Sequence, residues 1–255
     1  MFILLTNDDG IRAPGIAAAW RVLRELGEVM VVAPETVQSA TGHGITIATP
    51  LLTSEVNVND EFTGIAVDGR PADCVKLAIN QILPRKPDLV VSGINSGANT
   101  GINVIYSGTV AAAIEAAFLG LPSIALSLYL KPPIEPDYAG AARAALDTIK
   151  MLLKAGIAPG QCVSVNLPAL ATGQTPRGRR VVRQCTNAWN DTYERRLDPR
   201  GRAYYWNNSV FTLGETDDDT DVAALRDGYI TITPLQFDLT NHAQLQRLQD
   251  AMRAG

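Results

Sequence analysis

The sequence predicts an α/β fold built on a parallel, doubly wound sheet, and three features of its 255 residues carry that expectation. Runs such as Val29-Met30-Val31-Val32-Ala33 and Asp88-Leu89-Val90-Val91-Ser92 are almost continuously apolar, the pattern of strands covered on both faces. Segments with apolar residues at helical spacing separate these runs through the first two-thirds of the chain. Hydrophobic residues make up 46% and charged residues 19%, which supplies enough apolar surface for a substantial core.

Taken in order, Phe2 to Thr6 is the first strand. Pro14 opens a helix whose apolar positions Ile16, Ala19, Trp20, Leu23 and Leu26 share a face, and Gly27 stops it. Val29 to Ala33 follows as a strand ended by Pro34. Gly64 to Val67 is a short strand, and a helix runs from about Pro71 to Leu83. Asp88 to Ser92 is the next strand. An alanine-rich helix covers about Gly108 to Leu119 and stops at Gly120-Leu121-Pro122. Ser123 to Ser127 is a strand, Tyr138 to Leu153 the longest amphipathic helix, and Cys162 to Asn166 a further strand.

From about Ala171 the composition changes. Arg177-Gly178-Arg179-Arg180 reads as a loop. Ala188 to Phe211 holds two tryptophans, three tyrosines and one phenylalanine. Within it the turn signal Asp198-Pro199-Arg200-Gly201 joins the strand-like runs Thr192 to Leu197 and Arg202 to Trp206. An aromatic hairpin cannot bury its own face, so this one is expected to pack on another subunit. Tyr229 to Thr233 alternates like a strand, and His242 to Met252 reads as a closing helix. The expectation is one domain over 1–255, with a core at about 1–170 and a C-terminal part at about 171–255.

The net charge of −4 argues against a nucleic-acid or anionic-membrane surface. Cys74, Cys162 and Cys185 are odd in number and widely spaced, which excludes a disulfide framework and suits a reducing compartment. The opening Met1 to Leu5 is too short for a signal core, and no apolar run approaches the ~20 residues of a membrane span. The expected location is the cytoplasm.

Polar residues gather where strands end. Asp8-Asp9-Gly10 follows the first strand, where an open α/β sheet collects ligands. On a regular strand the two carboxylates would point to opposite faces, so they can share an ion only if the strand has already broken. A second loop, Gln38-Ser39-Ala40-Thr41-Gly42-His43-Gly44, follows the strand ended by Pro34. A third, Ser92-Gly93-Ile94-Asn95-Ser96-Gly97-Ala98-Asn99-Thr100-Gly101, follows the run ending at Ser92. It is neither a Walker loop nor a dinucleotide fingerprint. Ser107 is positioned to cap the alanine helix, leaving the N–H groups of Gly108, Thr109 and Val110 to face an anion. Cysteines and histidines do not cluster, which excludes a zinc site. Asp8, Asp9, Ser39 and Asn95 are oxygen donors, suited to Mg²⁺ or Mn²⁺, with Ca²⁺ also accepted.

These residues resemble the SurE (survival protein E) family of metal-dependent 5′-nucleotidases. The resemblance runs through Ile3 to Gly10 with Ala13-Pro14-Gly15, Val32-Ala33-Pro34, Gln38-Ser39, Pro71 to Val75, Val91 to Asn95, Tyr106 to Ala112, Gly228-Tyr229 and Thr233-Pro234-Leu235. It implies a Rossmann-like core with a projecting C-terminal β-hairpin arm that joins subunits into a homodimer or homotetramer. It implies one divalent ion held by Asp8, Asp9, Ser39 and Asn95, with Asp8, Asp9 and Asn95 catalytic. Ser107, Gly108 and Thr109 would hold the phosphate, with Asn7, Gly42 and Asn99 completing the substrate-binding set. The implied reaction is hydrolysis of nucleoside 5′-monophosphates, with 3′-nucleotides and short polyphosphate as further substrates. Metal-bound water and Asp8 both stay open as the attacking group. Arg70 departs from the small residue expected in Gly-x-Pro-x-Asp-Cys-Val, and no role for His43 carries over. The alternative is a nucleotide-sensing protein that binds without turnover. A Rossmann dehydrogenase is excluded by the absent glycine fingerprint.

Overall fold

The apolar run at Phe2–Thr6 becomes an inner strand, buried at every residue, of a nine-stranded sheet in the computed structural model. The structure describes residues 1–187, 192–207, 213–214 and 216–253. In chain order the first elements are β1 (Phe2–Thr6), α1 (Pro14–Leu23), β2 (Glu28–Pro34), β3 (Thr53–Val58), β4 (Phe62–Val67), α2 (Pro71–Leu77), β5 (Leu89–Ser96), α3 (Asn103–Tyr106) and α4 (Gly108–Phe118). There follow β6 (Ser123–Leu128), α5 (Tyr138–Ala155), β7 (Cys162–Leu167), β8 (Arg179–Val181), β9 (Tyr193–Leu197), β10 (Ala203–Asn207), α6 (Asp221–Arg226), β11 (Ile230–Leu235) and α7 (His242–Arg253).

The strand order is β3-β4-β2-β1-β5-β6-β7-β11-β8. From β4 through β7 every neighbouring pair is parallel, and the antiparallel pairs β3–β4 and β7–β11 lie outside that stretch. The chain moves from β1 to β2 on one side and later returns to place β5 on the other. The crevice beyond β1 and β5 is therefore the topological switch point, where ligands bind in such sheets.

Side chains alternate across the sheet, so β1 feeds two cores. Ile3 and Leu5 join the layer made with α1 and α5, whereas Leu4 packs with Val32, Val90 and residues of α2 and α4. Burying each such side chain is worth about 1.5–3 kcal/mol. Two close approaches fix the layers. A Cβ on Gly15 in α1 would collide with the carbonyl oxygen of Ile94, and one on Gly93 with that of Leu126.

The sequence expectations hold for the parallel core and fail at its margins. The helix expected to reach Leu83 is α-helical only to Leu77 and continues as a π turn over Ala78–Ile82, with Leu83 N donating to Ala78 O at 2.9 Å. The strand expected to end at Ser92 runs on to Ser96, with a register shift against β6 between Ser92 and Asn95. Arg179 and Arg180, expected in a loop, belong to β8, which pairs in parallel with β11. The edge strand β3 and the short helices α3 and α6 were not foreseen.

The hairpin is present, with Tyr205 opposite Arg195 and Trp206 opposite Glu194. Asp198 closes its turn, accepting hydrogen bonds from Arg200 N at 2.8 Å and Arg202 N at 2.9 Å. Trp189 and Phe211, counted in the aromatic stretch, lie outside the described residues. Helix α7 also forms, but none of its residues is buried, so it does not close onto this chain.

Candidate active site

Strand β1 ends at Thr6, one residue before Asn7, and the chain bends at Asp8 and Asp9. Gly10, at φ +94°, turns it back so that Ile11 N reaches Pro34 O at 2.8 Å. A glycine makes that left-handed turn without a Cβ penalty. Asn7 donates through Nδ2 to Gly10 O at 2.9 Å, while its Oδ1 is buried without a partner.

The two carboxylates are held by different elements. Asp8 is buried and accepts from the hydroxyl of Thr109 in the first turn of α4, whose backbone N–H also serves it. Asp9 is half-buried and accepts from Ser96 N at 2.8 Å. Ser96 Oγ in turn pairs with the Tyr138 hydroxyl at 2.6 Å, linking this end of β5 to α5. Burial, opposed by the Thr109 hydrogen bonds and reinforced by the charge of Asp9, pushes the Asp8 carboxyl up to about 6.

Helix α4 is capped by Ser107, whose Oγ accepts from Val110 N at 3.1 Å. Of the three N–H groups expected to face outward, Val110 is used by the cap and Thr109 by Asp8, and Gly108 carries the remaining one. A Cβ on Gly108 would lie 2.8 Å from Asp8 Cβ and 3.0 Å from Pro71 Cγ, so only glycine lets this helix start close on Asp8.

Asn95 donates through Nδ2 to Gly97 O at 2.8 Å, which fixes its carboxamide and leaves Oδ1 as the free acceptor. Ser39 is exposed in a loop anchored by Gln38 N to Asp8 O at 2.7 Å and by Gly42 N to Tyr106 O at 3.0 Å. The loops that carry Ser39 and Asn95 are thus bonded to the turn Asp8–Asp9, and the Ser39 loop also to the end of α3. Asn99 is the exception in character. It is buried, with Nδ2 donating to Ser127 Oγ at 2.9 Å and its N–H to Asn166 Oδ1 at 2.7 Å. Its visible work is to tie the loop to β6 and β7.

The donor set fits a hard divalent ion. Among the described residues no Lys, Arg or His pairs with Asp8 or Asp9, so two adjacent carboxylates share a partly buried rim without a cationic side chain. Charges so placed call for a counter-ion. Among the described residues no three or more His, Cys, Asp or Glu converge so as to hold a metal ion by themselves, which leaves two carboxylates with neutral hydroxyl and amide oxygens.

Sequence reasoning missed the residues that brace these loops. Asp73 is buried in α2 and accepts from Thr46 N at 3.0 Å and Arg70 N at 3.0 Å. Its signal was present: an acid three residues after a helix start is half of a capping pattern. Glu115 bonds His43 and Lys76. It is the lone charged residue of α4, and a lone acid in an apolar helix signals a buried partner. Arg70 lies against Gly44, where a Cβ would meet its guanidinium.

Comparison with known proteins bears on the whole chain. The family model described as Survival protein SurE matches residues 3–191. The chain is 45% identical over 248 residues to a protein of Syntrophobacter fumaroxidans named 5′-nucleotidase SurE, covering 97% of this chain and 98% of that one. It is 46% identical over 254 residues to a protein of the same name from Moorella thermoacetica, covering 97% and 95%. The crystal structure of the SurE protein from Aquifex aeolicus superposes with a TM-score of 0.83 at 37% identity, covering 99% of this chain and 100% of that one.

Proposed function

The chain belongs to the SurE family, and from that premise we propose that it is a 5′-nucleotidase, a phosphoric monoester hydrolase that releases phosphate from nucleoside 5′-monophosphates. The observation that carries this reading is the pair Asp8–Asp9, set at the switch point without a basic partner and facing the start of α4. A nucleotide-sensing protein could use the same rim, but binding a phosphate does not call for two juxtaposed carboxylates. Short polyphosphate and 3′-nucleotides belong to the same reading, because the rim addresses the phosphate.

Asp8, Asp9, Ser39 and Asn95 would hold one divalent ion, Mg²⁺ or Mn²⁺, with Ca²⁺ also accepted. When bound, such an ion neutralises charge on the phosphoryl group and acts as a Lewis acid. The chain's own groups do the positioning. Thr109 holds the Asp8 carboxylate, Ser96 N–H holds Asp9, and Asn95 Oδ1 is oriented by the bond from its amide to Gly97. Gly108 N–H and the α4 dipole favour a phosphate oxygen at the helix start. Asn7, fully buried, shapes the turn that carries Asp8 and Asp9 through its bond to Gly10 O, Gly42 ties the Ser39 loop to Tyr106 O, and Asn99 keeps the β5 loop in place.

We place the assembly as a homodimer or homotetramer built through the hairpin, supported by aromatic side chains exposed on both of its faces. Three free, buried cysteines suit a cytoplasmic setting, and no described helix is long and apolar enough to cross a membrane. Phosphate release from a nucleoside 5′-monophosphate with Mn²⁺, abolished by EDTA and restored by added metal, is the expected result. Nucleotide binding without phosphate release would establish the sensing alternative. A single turnover in oxygen-18 water, with denaturing capture of phosphoenzyme, assigns the attacking oxygen to water or to Asp8.

A further inference from the structure

The loop that carries Ser39 has an unusual shape and is held in it from outside. Ala40 adopts φ +56° and Gly42 φ +55°, and a left-handed alanine costs about 1–2 kcal/mol. Hydrogen bonds from its backbone secure both flanks, Gln38 N to Asp8 O at one end and Thr46 N to the Asp73 carboxylate at the other. Between them one side chain crosses to another element. His43 Nε2 lies 2.8 Å from Glu115 Oε2, and its ring stacks on Phe118 with centroids 5.1 Å apart.

Glu115 is built to receive it. The residue is 4% exposed on α4, and its second carboxylate oxygen accepts from Lys76 Nζ at 3.1 Å. Lys76 comes from α2, so the carboxylate joins three segments: the Ser39 loop, α2 and α4. Glu115 sits seven residues after Gly108 on the helix whose first turn holds Asp8. His43 therefore fixes the Ser39 loop to the same rigid element that positions the carboxylate pair.

We propose that His43 is a positioning residue for the cation cradle, acting through Glu115 to set the Ser39 hydroxyl against Asp8 and Asp9. This rests on the reading of Asp8, Asp9, Ser39 and Asn95 as metal ligands. Glu115 is the anchor and Phe118 the platform that limits rotation of the ring. Lys76 keeps the anchor ionised and in place. Groups that orient metal ligands commonly change affinity by about 10- to 100-fold when removed.

Mn²⁺ binding to the full-length protein, measured by electron paramagnetic resonance of the free ion, tests this without turnover. His43→Ala is expected to weaken Mn²⁺ by about tenfold, with the thermal midpoint little changed and much of kcat recovered at high Mn²⁺. His43→Gln, which can still donate to Glu115, should regain part of that affinity. Glu115→Gln keeps the shape of the anchor and should reproduce the loss, which covers the case of an unstable His43→Ala. In a Ser39→Ala background the further effect of His43→Ala should vanish, because its action passes through that hydroxyl. Wild-type Mn²⁺ affinity in both His43→Ala and Glu115→Gln, or an undiminished loss in the Ser39→Ala background, overturns the proposal. Asp9→Asn separates the two readings: if it too leaves Mn²⁺ binding intact, the cradle itself is misassigned.

Discussion

The rim beyond β1 and β5 and the hairpin arm formed by β9 and β10 differ in how they satisfy their side chains. At the rim the charged groups and the carboxamide of Asn95 find partners within the chain: Thr109 for Asp8, Ser96 for Asp9, Gly97 for Asn95, and His43 and Lys76 for Glu115, while the buried side-chain oxygens of Thr6, Asn7, Ser92 and Thr100 do not. In the arm the groups left over are apolar. Tyr205 is 60% exposed and Trp206 57%, and they point to opposite faces of the hairpin. Leu245, Leu248 and Met252 are also exposed on α7 at helical spacing. One region calls for a cation. The other leaves an apolar surface exposed, which the proposed assembly through the hairpin would cover. Chemistry and assembly are therefore separable, and substitutions can show it.

The largest effect belongs to the carboxylates. Asp8→Asn keeps an acceptor for the Thr109 hydroxyl but removes the charge, so turnover should fall by about a thousandfold or more with the fold intact. Phosphate release and circular dichroism check both halves. Gly108→Ala inserts a methyl group between Asp8 and Pro71 and should cost about a hundredfold in kcat by displacing the helix start. In the arm, Tyr205→Ala with Trp206→Ala should weaken self-association by about a hundredfold while thermal stability of the subunit holds, as read by analytical ultracentrifugation. Unaltered sedimentation would mean the arm is ordinary surface.

Acid should act on the brace at the rim. Burial works against the charge on Glu115, but hydrogen bonds from His43 and Lys76 outweigh it and hold the carboxyl below its ordinary 4.5. The unfolded chain then binds the proton more readily than the folded one. Its contribution is present above that ordinary value and is lost as pH falls through the lower, folded one. Denaturant titrations across that window should show a steeper acid loss for wild type than for Glu115→Gln. The smallest effect is expected at the arm's base, where Arg183 pairs with Asp217 and Asp219 on the surface. Arg183→Ala should leave the denaturant midpoint almost unchanged, because solvent screens so exposed a pair.

Legibility in the sequence followed burial. Strands covered on both faces, such as β1 and β6, were plain because every residue is apolar or small. The edge strand β3, Thr-Ser-Glu-Val-Asn-Val, is mostly exposed and carries no such pattern. Strand β8 is three exposed residues whose pairing is set by β11, about fifty positions later, so it reads as a loop. In the site, Asp8, Asp9, Asn95 and Ser107 were visible as polar residues where strands end or helices begin. The bracing of Ser39 was not, because His43 and Glu115 are 72 positions apart and Lys76 and Glu115 39 apart. Asn99 was legible as polar but not as buried, since the Ser127 and Asn166 that claim it come from other strands.

Strands β8 and β11 are direct neighbours, and beyond β8 Arg183 N bonds Asp219 O at 3.3 Å while Asp221 N bonds Arg183 O at 2.9 Å. The chain thus leaves the sheet and comes back to it at almost the same point, like a detachable handle clamped at its root. Such a geometry makes the part beyond Cys185, which itself still bonds Asp221, a candidate for exchange: a short turn spliced in its place should yield a stand-alone catalytic body, and a foreign module grafted there should leave the nucleotidase beneath it undisturbed.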